Sequence, residues 1–119
     1  MKGAYILIIK LQKDMNIKIG KLGNIFFKAG IYAYVGSGMK NLISRVKSHF
    51  RKEKKLHWHI DYLLKKAKIQ AVITIENDQK IECDIANTLS QNFKVIKEFG
   101  ATDCRCKGHL FIILPIPTS

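Results

Sequence analysis

The pattern of apolar and polar positions changes part-way along the chain. Residues 4–11 are rich in Ile and include a Tyr, short apolar pieces at 17–19 and 24–27 are separated by glycines, and residues 30–35 form another apolar run. Short runs of this composition predict strands. Because their connections are too short for crossover helices, we expect antiparallel pairing. The glycine-rich segment 36–38 is predicted to be the turn that ends the fourth strand.

After that segment the apolar residues follow helical spacing. A first amphipathic helix is expected over 40–50, a second over 58–66 and a third over 81–93, with strands at 69–75 and 110–114. Strands first and helices afterwards, without strand–helix–strand alternation, indicate an α+β fold: a mainly antiparallel sheet flanked by about three helices. A chain of 119 residues has the length of one domain, so we expect residues 1–119 to share one core.

Charge adds a function class to this picture. The apolar share of 47% and the charged share of 25% are ordinary for globular domains, which excludes disordered and fibrous classes. The net charge is +12, and residues 40–68 hold ten Lys and Arg against two acids. Such a concentration predicts a polyanionic partner, nucleic acid before an anionic membrane surface, although a solvated surface is the alternative. The candidate nucleic-acid-binding residues are Lys40, Lys47, Arg51, Lys52, Lys54 and Lys55.

The apolar runs and the cysteines bear on location. No apolar run is long enough for a membrane span or a signal peptide of normal build, so a cytoplasmic protein is expected. Cys104, Cys106 and His109, with Cys83 far away in sequence, are zinc-ligand types, but their spacing matches no standard zinc motif. Buried or disulfide-forming cysteines are therefore the preferred interpretation, and a structural zinc is not expected.

Arg45 and His49 are the first candidates for chemistry. They lie four residues apart just after segment 36–38, so they share a helix face and are expected to point toward that turn. Glycines in a turn let the backbone approach a phosphate, and an Arg beside it can stabilise charge on a phosphoryl group. A surface Arg with a half-buried His is the structural alternative.

Acidic and aromatic residues supply further candidates. Glu82 shares helical spacing with Ala86 and Leu89, which places it on the inward face of the third helix. A half-buried carboxylate needs a cation: Mg²⁺ or Mn²⁺ keeping several waters, or else a nearby Lys or Arg. His57 and Asp61 share a helix face and are predicted to pair.

The residues next to that pair are open to two interpretations. Trp58 is expected to anchor the core, and His59 is expected to point away from the face that His57 and Asp61 share. The alternative is that Trp58 stacks a base while the lysines before it contact a nucleic-acid backbone. Asp103 is a candidate second acid near the site.

These stretches resemble the GIY-YIG nuclease superfamily. Its second motif, a Tyr-Ile-Gly strand end followed by a helix with Asn-Leu, an Arg and often a His one turn later, matches 34–36, 41–42, Arg45 and His49. Residues 3–5, Gly-Ala-Tyr, resemble the Gly-Ile-Tyr motif with Ala in the middle. Residues 57–63 and 103–111 are similar to a mainly archaeal branch, in which the domain is sometimes fused to endonuclease III-type proteins.

The resemblance implies hydrolysis of a phosphodiester with one divalent ion, Mg²⁺ or Mn²⁺, on Glu82. Tyr5, assisted by Tyr34 or a nearby base, would take the proton from the attacking water. Arg45 would stabilise the charged transition state, and His49 would orient a group or relay a proton.

The identity of the first tyrosine stays open. Residues 30–32 also spell Gly-Ile-Tyr, but they share a strand with Tyr34, so Tyr5 is preferred, while Tyr32 can share its role. The expected function is a metal-dependent endonuclease, acting on DNA in preference to RNA, in repair or on particular structures. The alternative is a catalytically weak nucleic-acid-binding module that acts with a partner enzyme.

Overall fold

The computed structural model describes residues 1–53, 55–101 and 106–116. Its strands are β1 (Gly3–Leu11), β2 (Met15–Lys18), β3 (Asn24–Phe27), β4 (Gly30–Gly38), β5 (Lys68–Glu76), β6 (Lys94–Ile96) and β7 (Leu110–Pro115). Its helices are α1 (Leu42–Ser48), α2 (His59–Leu64) and α3 (Glu82–Ser90), with a short 3-10 helix at Gly20–Leu22. The α+β fold with antiparallel strands is therefore confirmed, and β6 is a strand that the sequence analysis missed.

Five strands form one antiparallel sheet in the order β5-β1-β4-β7-β6, and β2 and β3 form a separate hairpin. The central strands β1 and β4 pair along their whole length, with Tyr5 opposite Gly36 and Leu7 opposite Tyr34. The pairing of β4 with β7 ends earlier, at Tyr34 and Leu110. The last residues of β4 therefore extend past β7 at one end of the sheet.

Both faces of the sheet are covered. On one face, alternate residues of β1 such as Leu7 and Ile9 pack with Leu42 of α1, Leu63 of α2 and Phe27 of the hairpin. On the other face, Val35 and Phe111 pack with Ala86, Leu89 and Phe93 of α3. Because successive side chains of β1 point to opposite faces of the sheet, this strand contributes apolar residues to both layers. Among the described residues, no helix is both long enough and apolar enough to cross a membrane.

The prediction that residues 36–38 form a turn is wrong. Strand β4 continues through Gly38, which pairs with Gly3, and none of the residues 36–38 has a positive φ. A Cβ on Gly36 would overlap the ring of Tyr5, and one on Gly38 would lie 2.7 Å from the Cα of Leu42. These glycines are therefore needed because a ring and a helix pack directly on the backbone, and the turn comes at residues 39–40.

Helix α1 is shorter than the predicted 40–50. It begins after Asn41, whose side-chain Oδ1 accepts a hydrogen bond from the Ser44 N–H at 3.1 Å. This N-cap satisfies a backbone donor that has no partner within the helix and fixes where the helix begins. It also fixes the rotation of α1, so that Leu42 is buried and the side chains of Arg45 and His49 reach the end of the sheet.

Candidate functional site

A cleft of about 910 Å³ lies at the end of the sheet where β4 extends past β7. Its lining combines residues from four separate elements: Tyr5 from β1, Tyr34 from β4, Arg45 from α1 and Glu82 from α3. Glu82 is the one carboxylate among the described residues that line it. The sequence-predicted candidates therefore meet in one place, apart from those considered separately below.

The two cleft tyrosines lie on the same face of the sheet. Their ring centroids are 6.5 Å apart, because Tyr5 and Tyr34 are diagonal neighbours across the β1–β4 pair. Burial raises the pKa of the Tyr5 hydroxyl, and nearby Tyr34 raises it further, while Arg45 opposes both. Burial also raises the pKa of Tyr34, followed by the repulsion of the Glu82 carboxylate. Both hydroxyls consequently keep their protons at neutral pH.

His49 lies behind Tyr5 rather than in the cleft lining. Its Nε2 is 2.6 Å from the Tyr5 hydroxyl, and the imidazole is buried. The ring also lies beside Tyr34 and Trp58, at centroid distances of 6.4 and 6.2 Å. A short contact between a buried hydroxyl and an imidazole nitrogen can pass a proton from one to the other. His49 therefore affects the cleft through Tyr5.

Arg45 is held by two contacts. Its Nε donates to the carbonyl of Ser37 at 3.2 Å, and its guanidinium carbon lies 3.9 Å from the centre of the Trp58 ring. Neither contact uses the two terminal guanidinium nitrogens, which are the donors that bind a phosphate in a bidentate manner. The arrangement orients an anion-binding group before any ligand arrives.

The expectation that Trp58 anchors the core is wrong. It is 38% exposed and lines the cleft, with Arg45 against its ring. The physical reason is the cap of α2: the Oδ2 of Asp61 accepts hydrogen bonds from the backbone N–H groups of His57 and Trp58, at 2.9 and 2.8 Å. Asp61 thus contacts the backbone at His57 and holds the chain so that Trp58 is presented to the cleft.

His59 is a cleft residue that the sequence analysis did not select. Its Nδ1 accepts a hydrogen bond from the N–H of Gly100 at 2.8 Å, and its ring packs on Phe99. Burial lowers the pKa of His59, so the imidazole is neutral with its proton on Nε2. The partner lies 41 positions away, and no local sequence signal could have revealed the contact.

The inward position predicted for the face of α3 is confirmed. Ala86 is buried, Leu89 packs with it under the sheet, and the side chain of Glu82 is only 15% exposed. Its Oε1 is 3.2 Å from Lys80 Nζ and its Oε2 is 3.7 Å from His109 Nδ1. The lysine ion pair, which the sequence left as the alternative to a metal, is therefore present. The side chain of Lys80 is 62% exposed, so this pair contributes little energy.

The donor chemistry of Glu82 nevertheless fits a hard divalent ion. A single carboxylate in a wide cleft suits Mg²⁺ or Mn²⁺, which bind through one or two carboxylates and keep several waters. Lys80 can move into solvent when such an ion binds, since most of its side chain is already exposed.

Tyr32 lies elsewhere. Its hydroxyl donates to the carbonyl of Lys28 at 2.6 Å, and its ring packs edge-on against Phe27 at 6.0 Å. Burial, followed by the nearby Asp14, raises the pKa of Tyr32 to about 12. Of the two tyrosines considered for the first motif, Tyr5 lines the cleft, and Tyr32 belongs to the core beside the hairpin.

The predicted basic residues surround rather than fill the cleft. Lys40 lines it, while four exposed candidates lie in the last turn of α1 and in the loop that follows: Lys47, Arg51, Lys52 and Lys55. Lys21 and Lys80 also line the cleft and were not selected from the sequence. The remaining candidates, Lys54, Asp103 and Cys104, lie outside the described residues.

One family model matches residues 4–117, with the description "Domain of unknown function DUF123". The chain belongs to the DUF123 family. The DUF123 match includes all five of Tyr5, Tyr34, Arg45, His49 and Glu82, and so it covers the whole cleft. No curated protein and no solved structure matches the chain. The chemistry of this DUF123 domain must therefore be inferred from the cleft itself.

Proposed function

We propose that this DUF123 domain is a metal-dependent endonuclease that hydrolyses phosphodiester bonds in nucleic acid, with DNA preferred over RNA. One observation carries the proposal: a single cleft is lined by Tyr5, Arg45 and Glu82, with His49 hydrogen-bonded to Tyr5 from behind. A hydroxyl–imidazole pair can transfer a proton, a fixed guanidinium can stabilise developing charge, and a carboxylate can hold a divalent ion, which together suit phosphodiester hydrolysis. We also propose that the protein acts in the cytoplasm.

Substrate binding follows from the charge and the stacking surface of the cleft. Lys21, Lys40 and Arg45 line it, and each can neutralise a phosphate while releasing a counterion. Trp58 presents an exposed indole beside Arg45, which supplies a surface on which an unpaired base can stack. These features favour a substrate with a single-stranded or distorted segment near the bond that is cut.

Proton transfer would run through Tyr5 and His49 together. Because burial raises the pKa of Tyr5, its hydroxyl is not a base by itself at neutral pH. It can accept the proton of an attacking water only as it gives its own proton to His49 Nε2, 2.6 Å away. The water oxygen then bonds to phosphorus, the bond to the leaving oxygen breaks, and the proton ends on His49.

Arg45 and Glu82 would handle the negative charge. The terminal nitrogens of Arg45 can donate to the phosphoryl oxygens, whose charge grows in the transition state. Glu82 would hold a hydrated Mg²⁺ or Mn²⁺, and such an ion supplies electrostatic stabilisation of the phosphoryl and leaving oxygens. Lys80, displaced from Glu82, remains close enough to the cleft to contact substrate.

A binding module is the second candidate, and one observation favours it. The Glu82 carboxylate already contacts Lys80 and lies near His109, so the cleft is electrostatically satisfied in part without a metal ion. The same Lys, Arg and Trp surface would then hold nucleic acid for a partner enzyme without cutting it. Salt-sensitive binding is common to both candidates and cannot separate them.

The test is cleavage of labelled duplex, single-stranded, flap and branched DNA and of RNA, with Mg²⁺ and with Mn²⁺. Wild type would run beside Glu82→Gln, Arg45→Ala and the control Glu76→Gln, which removes an exposed carboxylate from the end of β5. The proposal expects cutting by wild type and by the control, with loss in the other two variants while binding persists.

Two other results would contradict the nuclease assignment. Tight binding with no cutting under either metal would favour the binding module. Cutting that survives unchanged in both Glu82→Gln and Arg45→Ala would mean that the activity comes from outside this cleft.

A further inference from the structure

A second group of metal-ligand side chains lies beside the cleft. Cys83 is the second residue of α3, and His109 immediately precedes β7. The sulfur atoms of Cys83 and Cys106 and a ring nitrogen of His109 all lie within 4.8 Å of one another. The Cys83 Sγ is 3.9 Å from the His109 Nε2. These residues are 26 positions apart in sequence and meet only through the packing of α3 on the sheet.

The backbone holds His109 in the orientation of a ligand. Its Nδ1 is 3.2 Å from the carbonyl of Val35, and the N–H of Val35 donates to the His109 carbonyl at 2.9 Å. A proton on Nδ1, donated to that carbonyl, leaves the lone pair of Nε2 on the side of Cys83. Histidines that bind metals typically donate their other ring N–H to a backbone carbonyl or a carboxylate in this way. The side chain is also buried, which keeps the ring from turning.

We propose that Cys83, Cys106 and His109 bind a transition-metal ion, with Zn²⁺ the best match. Two soft sulfurs and an imidazole select zinc over the hard ions that suit Glu82. Zinc bond lengths require donor separations of roughly 3.5–3.8 Å in a tetrahedron, so the present separations need only small side-chain movements. On binding, each thiol releases its proton to solvent, and the two thiolates balance the charge of the ion.

The ion would cross-link two elements of the fold. It would join the first turn of α3 to the residues just before β7, and Cys83 directly follows Glu82. Holding Cys83 would hold the backbone that carries the Glu82 carboxylate. Because His109 Nδ1 is also 3.7 Å from Glu82 Oε2, the proposed metal site adjoins the cleft, although it takes no part in the reaction proposed there. The site does not depend on whether the cleft cuts nucleic acid.

The spacing of Cys106 and His109 did not favour zinc in the sequence, because the third donor is supplied by a distant helix. A disulfide between Cys83 and Cys106 is the competing use of the same two sulfurs. It would consume both thiols with an oxidant and leave His109 without its sulfur partners. The two uses are exclusive, and one preparation can distinguish them.

The experiment starts from the full chain purified under reducing conditions with zinc in the growth medium. Bound metal would be measured by plasma mass spectrometry, and intact mass would report the thiol state. The apoprotein would then be titrated with Co²⁺, whose sulfur-to-metal charge-transfer band and intense visible bands report tetrahedral thiolate coordination. We expect one ion per chain, these bands, and their loss when Zn²⁺ displaces the cobalt.

Variants locate the site. Cys83→Ser and Cys106→Ser are each expected to weaken metal affinity by more than the 10–100-fold typical of second-shell changes. Thr88→Ser on the exposed face of α3 is the control and should keep the ion, as should Glu82→Gln, which removes the cleft carboxylate. Circular dichroism of each variant would establish that the fold is retained. If a variant does not fold, the cobalt spectrum of wild type still tests whether the site binds metal.

Three results would overturn the proposal. The first is a reduced wild-type protein that binds neither ion. The second is a disulfide between Cys83 and Cys106, identified by peptide mapping of an intact mass lighter by two hydrogen atoms after purification in reductant. The third is loss of the ion in Glu82→Gln but not in Cys83→Ser, which would move the metal into the cleft.

Discussion

The ring of Tyr5 occupies the space into which a side chain on Gly36 would extend. The two residues are directly opposite each other in the β1–β4 pair, and a Cβ on Gly36 would overlap the ring and hydroxyl of Tyr5. A glycine is therefore required at position 36 because Tyr5 is present at position 5: Tyr5 supplies the hydroxyl, and Gly36 leaves room for its ring. This relationship gives a physical reason for a Tyr in one strand and a Gly in the next, 31 positions later.

Gly36→Ala should displace Tyr5 from His49. The added methyl group overlaps a ring that is buried on its other sides, so we expect a loss of about 1–3 kcal/mol in the free energy of unfolding. The hydrogen bond at 2.6 Å should be broken as well. Chemical denaturation would measure the stability, and the cleavage assay would measure the function.

Gly23→Ala is the matched control for that change. Gly23 has a φ of 77°, so alanine is strained there, but nothing lies within 4 Å of the added Cβ. Gly23→Ala should lower the free energy of unfolding by about 1 kcal/mol without changing the cleft. Equal losses of cleavage in both variants would show that stability, rather than the position of Tyr5, limits the activity.

The Tyr5–His49 contact can be isolated by a double-mutant cycle. Tyr5→Phe and His49→Phe each remove one partner of a buried hydrogen bond while keeping a ring in place, so each should lower the unfolding free energy by about 1–3 kcal/mol. The double variant should lose less than the sum, with a coupling of roughly 0.5–3 kcal/mol. Under the proposed relay, cleavage should fall by roughly 10²–10⁴-fold in either single variant and little further in the double.

Tyr32→Phe is the control for this cycle. It also removes a buried hydroxyl, but that hydroxyl donates to the Lys28 carbonyl away from the cleft. Cleavage should be unchanged in this variant at a pH where it is fully folded. A fall as large as that of Tyr5→Phe would argue against a specific role for the Tyr5 hydroxyl.

Alkaline pH should destabilise the protein through its buried tyrosines. Burial raises the pKa of Tyr32 to about 12, so the folded chain keeps a proton that the unfolded chain releases near pH 10. Stability from this group is complete below pH 10 and is lost as the pH rises toward 12. The loss is at most about 2.7 kcal/mol for this residue.

Denaturation of wild type and Tyr32→Phe between about pH 9 and pH 11.5, from below the ordinary tyrosine pKa of about 10 to just below the raised one, would measure this loss. The stability difference between the two proteins should shrink as the pH rises, because only wild type can lose that proton. The Tyr32→Phe variant should also lose some stability as the pH rises, since burial raises the pKa of Tyr5 and Tyr34, which it retains. Parallel curves would show that Tyr32 titrates normally.

The features that could be predicted from the sequence are the local ones. The period of two in β1, the helical spacing from Leu42 onward and the inward stripe of Glu82 and Ala86 each depend on residues close in sequence. The error at residues 36–38 has the same origin, because a glycine signal does not distinguish a turn from a backbone on which a side chain packs.

The features that could not be predicted depend on distant partners. His59 is fixed by the N–H of Gly100, and His109 is fixed by Val35 in a neighbouring strand. Trp58 is hydrophobic enough to suggest a core position, yet the Asp61 cap directs the chain toward the cleft, where Arg45 packs against the exposed ring. Such contacts exist only once the sheet and helices have come together.

Trp58 makes ligand binding directly observable. It is the single tryptophan of the chain, it is 38% exposed, and it lies in the cleft with Arg45 over its ring. A base stacking on the indole should quench its fluorescence, and the quenching should weaken as salt rises because phosphate contacts release counterions. Titration with a short single-stranded oligonucleotide would measure both effects.

Arg45→Lys tests whether the orientation of that cation matters as well as its charge. Lysine keeps the charge but lacks both the Nε donor to Ser37 and the planar group that lies on Trp58. Oligonucleotide affinity by Trp58 quenching should change little, while cleavage should fall by roughly 10²–10³-fold, since a point charge cannot hold the phosphoryl oxygens in a fixed geometry. Cleavage at the wild-type rate in Arg45→Lys would mean that Arg45 acts only as a positive charge, and the hydrogen bond to Ser37 would then have no part in the chemistry.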